Sequence, residues 1–173
     1  RTFSSAASDV YKRQPILFYK GFQGLATYRA ANCLWKNRHT MALFLQNRAS
    51  EIFGVDIHPA AKIKGGVMID HATGVVIGET AEIHENVSIF QGVTLGGKGF
   101  QEGDRHPKIQ SGVSIYASST ILGNIIIGKN STIAAGSLVL KNVEPNVTVA
   151  GIPAKIINKF NCYSYIFERF KKR

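Results

Sequence analysis

The stretch "KIQSGVSIYASSTILGNIIIGKNSTIAAGSLV", Lys108 to Val139, places an aliphatic residue at every sixth position: Ile109, Ile115, Ile121, Ile127, Ile133 and Val139. A beat of six fits neither the 3.6-residue turn of a helix nor the irregular turn spacing of a hairpin meander. It fits a parallel β-helix, in which short flat strands stack coil on coil and each unit buries its apolar side against the next. Working outward, the same beat runs through Ile77, Ile83, Ile89 and Leu95, and through Ile57, Ile63, Ile69 and Val75. Small or β-branched residues precede many beats by two places, as at Ala61, Val67, Ala81, Val87, Val93, Val113, Ser131 and Ser137, so each step alternates its faces. Gly and Asn near the step ends, in "LGN", "IGKN" and "AAGS", suit tight turns.

The three registers are separated by two slips. Between Ile69 and Ile77 the gap is two residues too long and holds Asp70, His71, Ala72, Thr73 and Gly74; between Leu95 and Ile109 it is eight too long and holds "GGKGFQEGDRHP". Extra residues push a turn or loop outward without disturbing the coils on either side. Both slips carry a histidine, and the expectation is that the first lifts His71 off the wall while the second brings Arg105 and His106 toward it. Histidine can take a hydroxyl proton near neutral pH when a carboxylate fixes its tautomer. Asp56, fifteen residues before His71 and a little less than one coil away, is the candidate partner. Asp70 and Arg105 suit the ammonium and carboxylate of an amino acid, for which arginine offers a bidentate fork. His39, His58 and His84 read as surface or turn residues.

Before the repeat, from Pro15 to about Phe53, apolar residues such as Leu17, Phe18, Phe22, Leu25, Tyr28, Leu34 and Trp35 recur at three- and four-residue steps. Two short helices broken at "KNRH" and ending near Gly54 are expected. The division is therefore 1–14 as a non-native or unstructured segment, 15–54 as a helical cap, 55–157 as a β-helix domain, and 158–173 as a basic tail.

The chain has 173 residues and a net charge of +10. That charge lies at the ends: residues 1–48 carry +7 and residues 155–173 carry +5, while 49–154 carry −2. A nucleic-acid groove in the repetitive middle is excluded on that ground. Cys33 and Cys162 are far apart and offer no metal-ligand spacing, which suits a reducing, cytoplasmic compartment. No apolar run approaches the roughly 20 residues that span a bilayer, and "RTFSSAASDVYKRQ" has no secretory h-region. "GGKG", Gly96 to Gly99, lacks Walker spacing and reads as a lid allowing close backbone approach.

The motifs "DIHPAAKI", "DHATGVVIGETAEI", "GVTLGGKG", "GDRHPKI", "ILGNI" and "VAGIPAKII", in this order, resemble the hexapeptide-repeat acyltransferases and, among them, the serine O-acetyltransferases. The resemblance covers about residues 15–157. It implies a left-handed parallel β-helix assembled as a homotrimer, or a dimer of trimers, and acetyl transfer from acetyl-CoA to the hydroxyl of L-serine without a metal. His71 would be the general base and Asp56 its orienting carboxylate. Asp70, Arg105 and His106 would bind the amino acid. The pantetheine arm would lie along a groove between β-helices near Gly97, Ala117 and Ala135, with Lys155 meeting the nucleotide phosphates. Family members have an upstream Arg-Asp-Pro segment that helps bind serine; here "RTFSSAASDVYKRQ" stands in that place, and Asp9 lacks that context. The C-terminal Ile by which they dock into cysteine synthase is absent, so that partnership is not carried over. Rival readings are a hexapeptide acetyltransferase with a sugar or antibiotic acceptor, a zinc carbonic anhydrase of the β-helix class, and an inactive assembly protein. The Asp70–Arg105 pairing favours an amino acid over a sugar.

Overall fold

The computed structural model describes Gln14, Ile16, residues 18–99 and residues 102–159. The expectations for 1–13 and 160–173, including Asp9 and the basic tail, lie outside the described residues. Among the described residues, the helices α1 (Lys20–Trp35) and α2 (His39–Phe53) precede the strands. They part at the expected polar break, and α2 stops at Gly54, whose left-handed φ of 67° lets its N–H return to the Ser50 carbonyl.

Three parallel strand faces follow. Face A stacks β1 (Val55–Ile57), β4 (Val75–Ile77), β7 (Thr94–Gly96), β10 (Thr120–Leu122) and β13 (Leu138–Val139). Face B stacks β2 (Lys62–Ile63), β5 (Glu82–Ile83), β8 (Lys108–Ile109) and β11 (Ile126–Ile127), with Val143 bridging to Ile127 below. Face C stacks β3 (Met68–Ile69), β6 (Ser88–Ile89), β9 (Ser114–Ile115), β12 (Thr132–Ile133) and β14 (Val147–Gly151). An antiparallel β15 (Ala154–Lys159) ends face C, running two residues past the boundary expected from the sequence.

Every beat residue points inward and is buried, so the core is three aliphatic columns, such as Ile69, Ile89, Ile115, Ile133 and Val149 on face C. Burying an isoleucine side chain contributes about 1.5–3 kcal/mol, so the columns supply the stacking free energy that two-residue strands lack. The serines that precede beats return their hydroxyls to turn carbonyls, Ser119 to Tyr116 and Ala134 at 2.7 and 2.9 Å, and Ser137 to Ala134 at 2.6 Å.

The first coil would present unpaired strand edges, and the helices cover them, α2 against β1 and α1 against β3 and the carbonyls around β2. The contact face of α1 is small: a Cβ on Gly21 would lie 1.9 Å from the Ile69 carbonyl oxygen, so only glycine allows this approach. Tyr28 donates its hydroxyl to the Ala61 carbonyl (2.6 Å) and accepts the Ile63 N–H (3.3 Å). Asn32 donates to the Pro59 carbonyl at 2.7 Å, and Arg29 donates to the carbonyls of Ile63 and Lys64. No helix among the described residues is long and apolar enough to cross a membrane.

The pairing registers measure the slips directly. Val55 pairs with Val75, Ile77 with Leu95, Leu95 with Ile121, and Ile121 with Val139, so successive coils take 20, 18, 26 and 18 residues. The excess of two falls in the turn from face C to face A, and the excess of eight in the turn from face A to face B.

Candidate functional site

The regular turn from face C to face A has one residue in the left-handed region: Gly92 (φ 69°), Ser118 (58°) and Gly136 (67°). These stack through N–H bonds to the coil above, Gly92 to Thr73, Ser118 to Gln91 and Gly136 to Ala117, each at 2.8 Å. Gly74 (φ 77°) occupies that slot in the first coil, its N–H on the Gly54 carbonyl. His71 (57°) and Ala72 (60°), both left-handed although both carry a Cβ, accommodate the two extra residues ahead of it. Such backbone costs on the order of 1–3 kcal/mol per residue and persists where its surroundings over-determine it. Here Asp70 does so, accepting the His71 N–H on Oδ1 (2.9 Å) and the Ala72 N–H on its carbonyl (2.6 Å). Ala72 is turned into the core and the His71 side chain outward, 70% exposed, with Nε2 3.8 Å from Asp70 Oδ2. The imidazole opens on a cleft of about 780 Å³ whose lining includes Phe18, Tyr19, Lys20, Met68 and Asp70. Lys20 donates to Thr73 Oγ1 at its floor.

The long loop re-enters at the other end of face A. There His106 is buried, 7% exposed, with its ring over Gly78: a Cβ on Gly78 would lie 2.0 Å from His106 Nε2. Thr80 holds the loop. Its Oγ1 accepts the N–H groups of Arg105 (3.0 Å) and His106 (3.1 Å), and its own N–H donates to His106 Nδ1 (3.2 Å). Arg105 spans Glu79 Oε2 (2.8 Å) and the Gly103 carbonyl (3.2 Å), leaving its planar head half-exposed. Burial, then the Arg105 cation, lowers the His106 pKa; burial lowers that of His58. His58 is a turn residue, as expected, with Nδ1 accepting the Ala60 N–H at 3.1 Å, but it is half-buried against Trp35, whose ring lies edge-on at 5.1 Å.

The sequence-based expectation of one convergent cluster is not met within a single chain. His71 stands where face A begins, and Arg105 and His106 where it ends. Gly74 to Gly78 covers on the order of 13 Å at about 3.3 Å per strand residue. The reason is the placement of the slips in two different turns. Nor does Asp56 touch His71: the 20-residue first coil sets Asp56 beside Val76, and its Oδ1 accepts the Gln46 amide at 2.6 Å. Asp70 is the carboxylate that His71 meets. Of the small residues, Ala117 and Ala135 follow one another down the turn that carries His71, Gly97 lies 3.3 Å (from a would-be Cβ) from the Arg105 side chain, and Lys155 is exposed on β15. Gly78, Glu79 and Thr80, in "IGET", carry no sequence signal of this role: nothing in their spacing marks them as the seat of a loop 25 residues later. Among the described residues of one chain, no group of three or more His, Cys, Asp or Glu is placed to hold a metal ion.

Residues 106–141 match the family described as bacterial transferase hexapeptide (six repeats). The chain is 57% identical over 154 residues to a serine acetyltransferase of Salmonella typhimurium, covering 88% of this chain and 56% of that protein. It therefore spans little more than half the length of that relative. Among solved structures, a serine acetyltransferase of Brucella abortus in complex with coenzyme A superposes with a TM-score of 0.84 at 56% identity, covering 86% of this chain and 60% of the other. The Neisseria gonorrhoeae serine acetyltransferase in complex with serine gives 0.81 at 54% identity, over 84% and 60%.

Proposed function

The chain belongs to the serine acetyltransferase family, and from that premise we propose that it transfers the acetyl group of acetyl-CoA to the hydroxyl of L-serine in the cytoplasm, giving O-acetylserine for cysteine synthesis. The observation that carries this reading is the outward turn of His71 from left-handed backbone, beside Asp70, at the mouth of a cleft. An exposed imidazole beside a carboxylate at the mouth of a cleft is suited to accepting a hydroxyl proton.

The chemistry follows from the groups. The serine hydroxyl oxygen attacks the thioester carbonyl carbon as its proton passes to His71; the tetrahedral intermediate collapses with cleavage of the carbon–sulfur bond, and His71 returns the proton to the CoA sulfur. No acyl-enzyme forms. Asp70, the carboxylate beside His71, orients the base and meets the substrate ammonium, and Arg105 with His106 meets the carboxylate. Because His71 and Arg105 stand at opposite ends of face A, the site is composite: the turn bearing His71 on one subunit of a homotrimer faces the turn bearing His106 on the next. The groove between them takes the pantetheine arm along Ala117 and Ala135 and past Gly97, with Lys155 toward the nucleotide phosphates.

The test is thiol release from acetyl-CoA with serine, homoserine, a galactoside and chloramphenicol as acceptors. Serine is expected to give the highest kcat/KM by at least about 10²-fold over the acceptors lacking an amino acid head, the scale on which losing a charged recognition pair is felt. A sugar or antibiotic acceptor outpacing serine would refute the reading.

A further inference from the structure

We propose that Thr80 is a positioning residue that locks His106 as its Nε2–H tautomer, so that this ring serves the reaction as a hydrogen-bond donor to a substrate oxygen and not as a proton acceptor. The donor role rests on the serine acetylation reading; the lock itself does not.

The argument begins with a group that has no choice. The Thr80 backbone N–H can only donate, and it points at His106 Nδ1 at 3.2 Å, so Nδ1 presents its lone pair. A neutral imidazole with a bare Nδ1 carries its hydrogen on Nε2. The Thr80 hydroxyl strengthens the arrangement. Both N–H groups of the loop, Arg105 at 3.0 Å and His106 at 3.1 Å, occupy its oxygen, and Oγ1 stands 2.9 Å from Nδ1. The hydroxyl hydrogen can serve either Nδ1 or the neighbouring Asp104 carboxylate; in both cases the backbone N–H requires a bare Nδ1 for as long as Oγ1, by holding the two loop N–H groups, keeps the ring seated on it. Nδ1 is thus committed to the turn of the second coil.

Nε2 is differently placed. It has no hydrogen-bond partner among the described residues, yet it is not sealed from solvent, although the residue as a whole is 7% exposed. It lies over Gly78, where any side chain would collide with it. The Nε2 hydrogen therefore sits above Gly78 with no acceptor among the described residues. Burial holds this ring neutral, and the cations of Arg105 and Lys108 act in the same direction against the opposing Glu79 carboxylate; His58 is the remaining titratable neighbour. A buried neutral ring with a fixed donor complements an anionic or carbonyl oxygen. The exposed His71 ring, held by no comparable bond, is left as the base.

The experiment needs no substrate for its first arm. Long-range proton–nitrogen spectra of the labelled full chain are expected to show His106 Nδ1 unprotonated and Nε2 protonated, unchanged from pH 8 to below the ordinary histidine pKa of about 6.5. In Thr80→Val the two loop N–H groups lose their acceptor, so the ring is no longer held against the Thr80 backbone N–H; His106 is expected to average between tautomers while kcat/KM for serine falls about 10- to 100-fold, the usual cost of removing a group that orients a site residue. Thr80→Ser keeps the hydroxyl and is expected to restore both the spectrum and the rate. A parent ring protonated on Nδ1 or averaging between tautomers would overturn the proposal, as would Thr80→Val with parental spectrum and rate. If the parent shows the Nε2–H ring and does not acetylate serine, the lock stands and the serine reading fails.

Discussion

Replacing His71 by alanine is expected to lower kcat by about 10²- to 10⁴-fold, the usual contribution of a positioned acid–base group, with acetyl-CoA binding little changed. The fold should tolerate the change. The side chain is 70% exposed and makes no core contact, while the left-handed turn is held by bonds to the Asp70 side chain and carbonyl that alanine keeps. Activity and stability are thus separable at this position, as they are not at Ala72, which fills the core one residue later. Asp56→Asn should cost less than loss of the base, since Asp56 bonds the Gln46 amide and does not touch His71. Near-parental turnover in folded His71→Ala would end the assignment, and the slip would be a turn without chemistry.

Gly78→Ala is expected to be nearly as damaging, for a purely steric reason. The added methyl would lie 2.0 Å from His106 Nε2 and 2.1 Å from Cδ2, far inside contact distance. The backbone of Gly78 is outside the left-handed region, so alanine itself is not strained there. The ring must therefore leave, against its bonds to Thr80. If His106 supplies a hydrogen bond to the reacting substrate, kcat/KM should fall about 10²- to 10³-fold, as when one preorganised donor is removed. Adding His106→Ala to Gly78→Ala should then cost little more, because both changes remove the same interaction. Additive losses would show that Gly78 acts through something other than the ring.

The fold was legible because a six-residue beat has one structural meaning, and each beat residue, from Ile57 to Val139, lies in the core. The slips were legible as counts. What the sequence did not disclose is which corner each slip occupies, since that depends on the three-face register: residues 35 apart, His71 and His106, look like neighbours in a list of motifs but are separated by the length of face A. The seat of the loop was hidden for the same reason. Thr80 and Gly78 meet His106 through stacking of coils, a relation that no local pattern encodes. Asp56 illustrates the limit from the other side: a separation of fifteen suggests proximity to His71, but a regular coil takes 18 residues and the inserted pair makes the first one 20, so Asp56 pairs with Val76.

The composite site is tested most directly by mixing two inactive chains, His71→Ala and His106→Ala, under conditions that exchange subunits. If each site takes His71 from one subunit and His106 from the next around a closed ring, random mixing in equal amounts leaves about a quarter of the sites with both histidines intact. Serine acetylation is expected to recover to about a quarter of the parental rate, from a background at least tenfold lower in either homotrimer. Mixed trimers, verified by mass, that remain at the background of the separate variants would contradict the account.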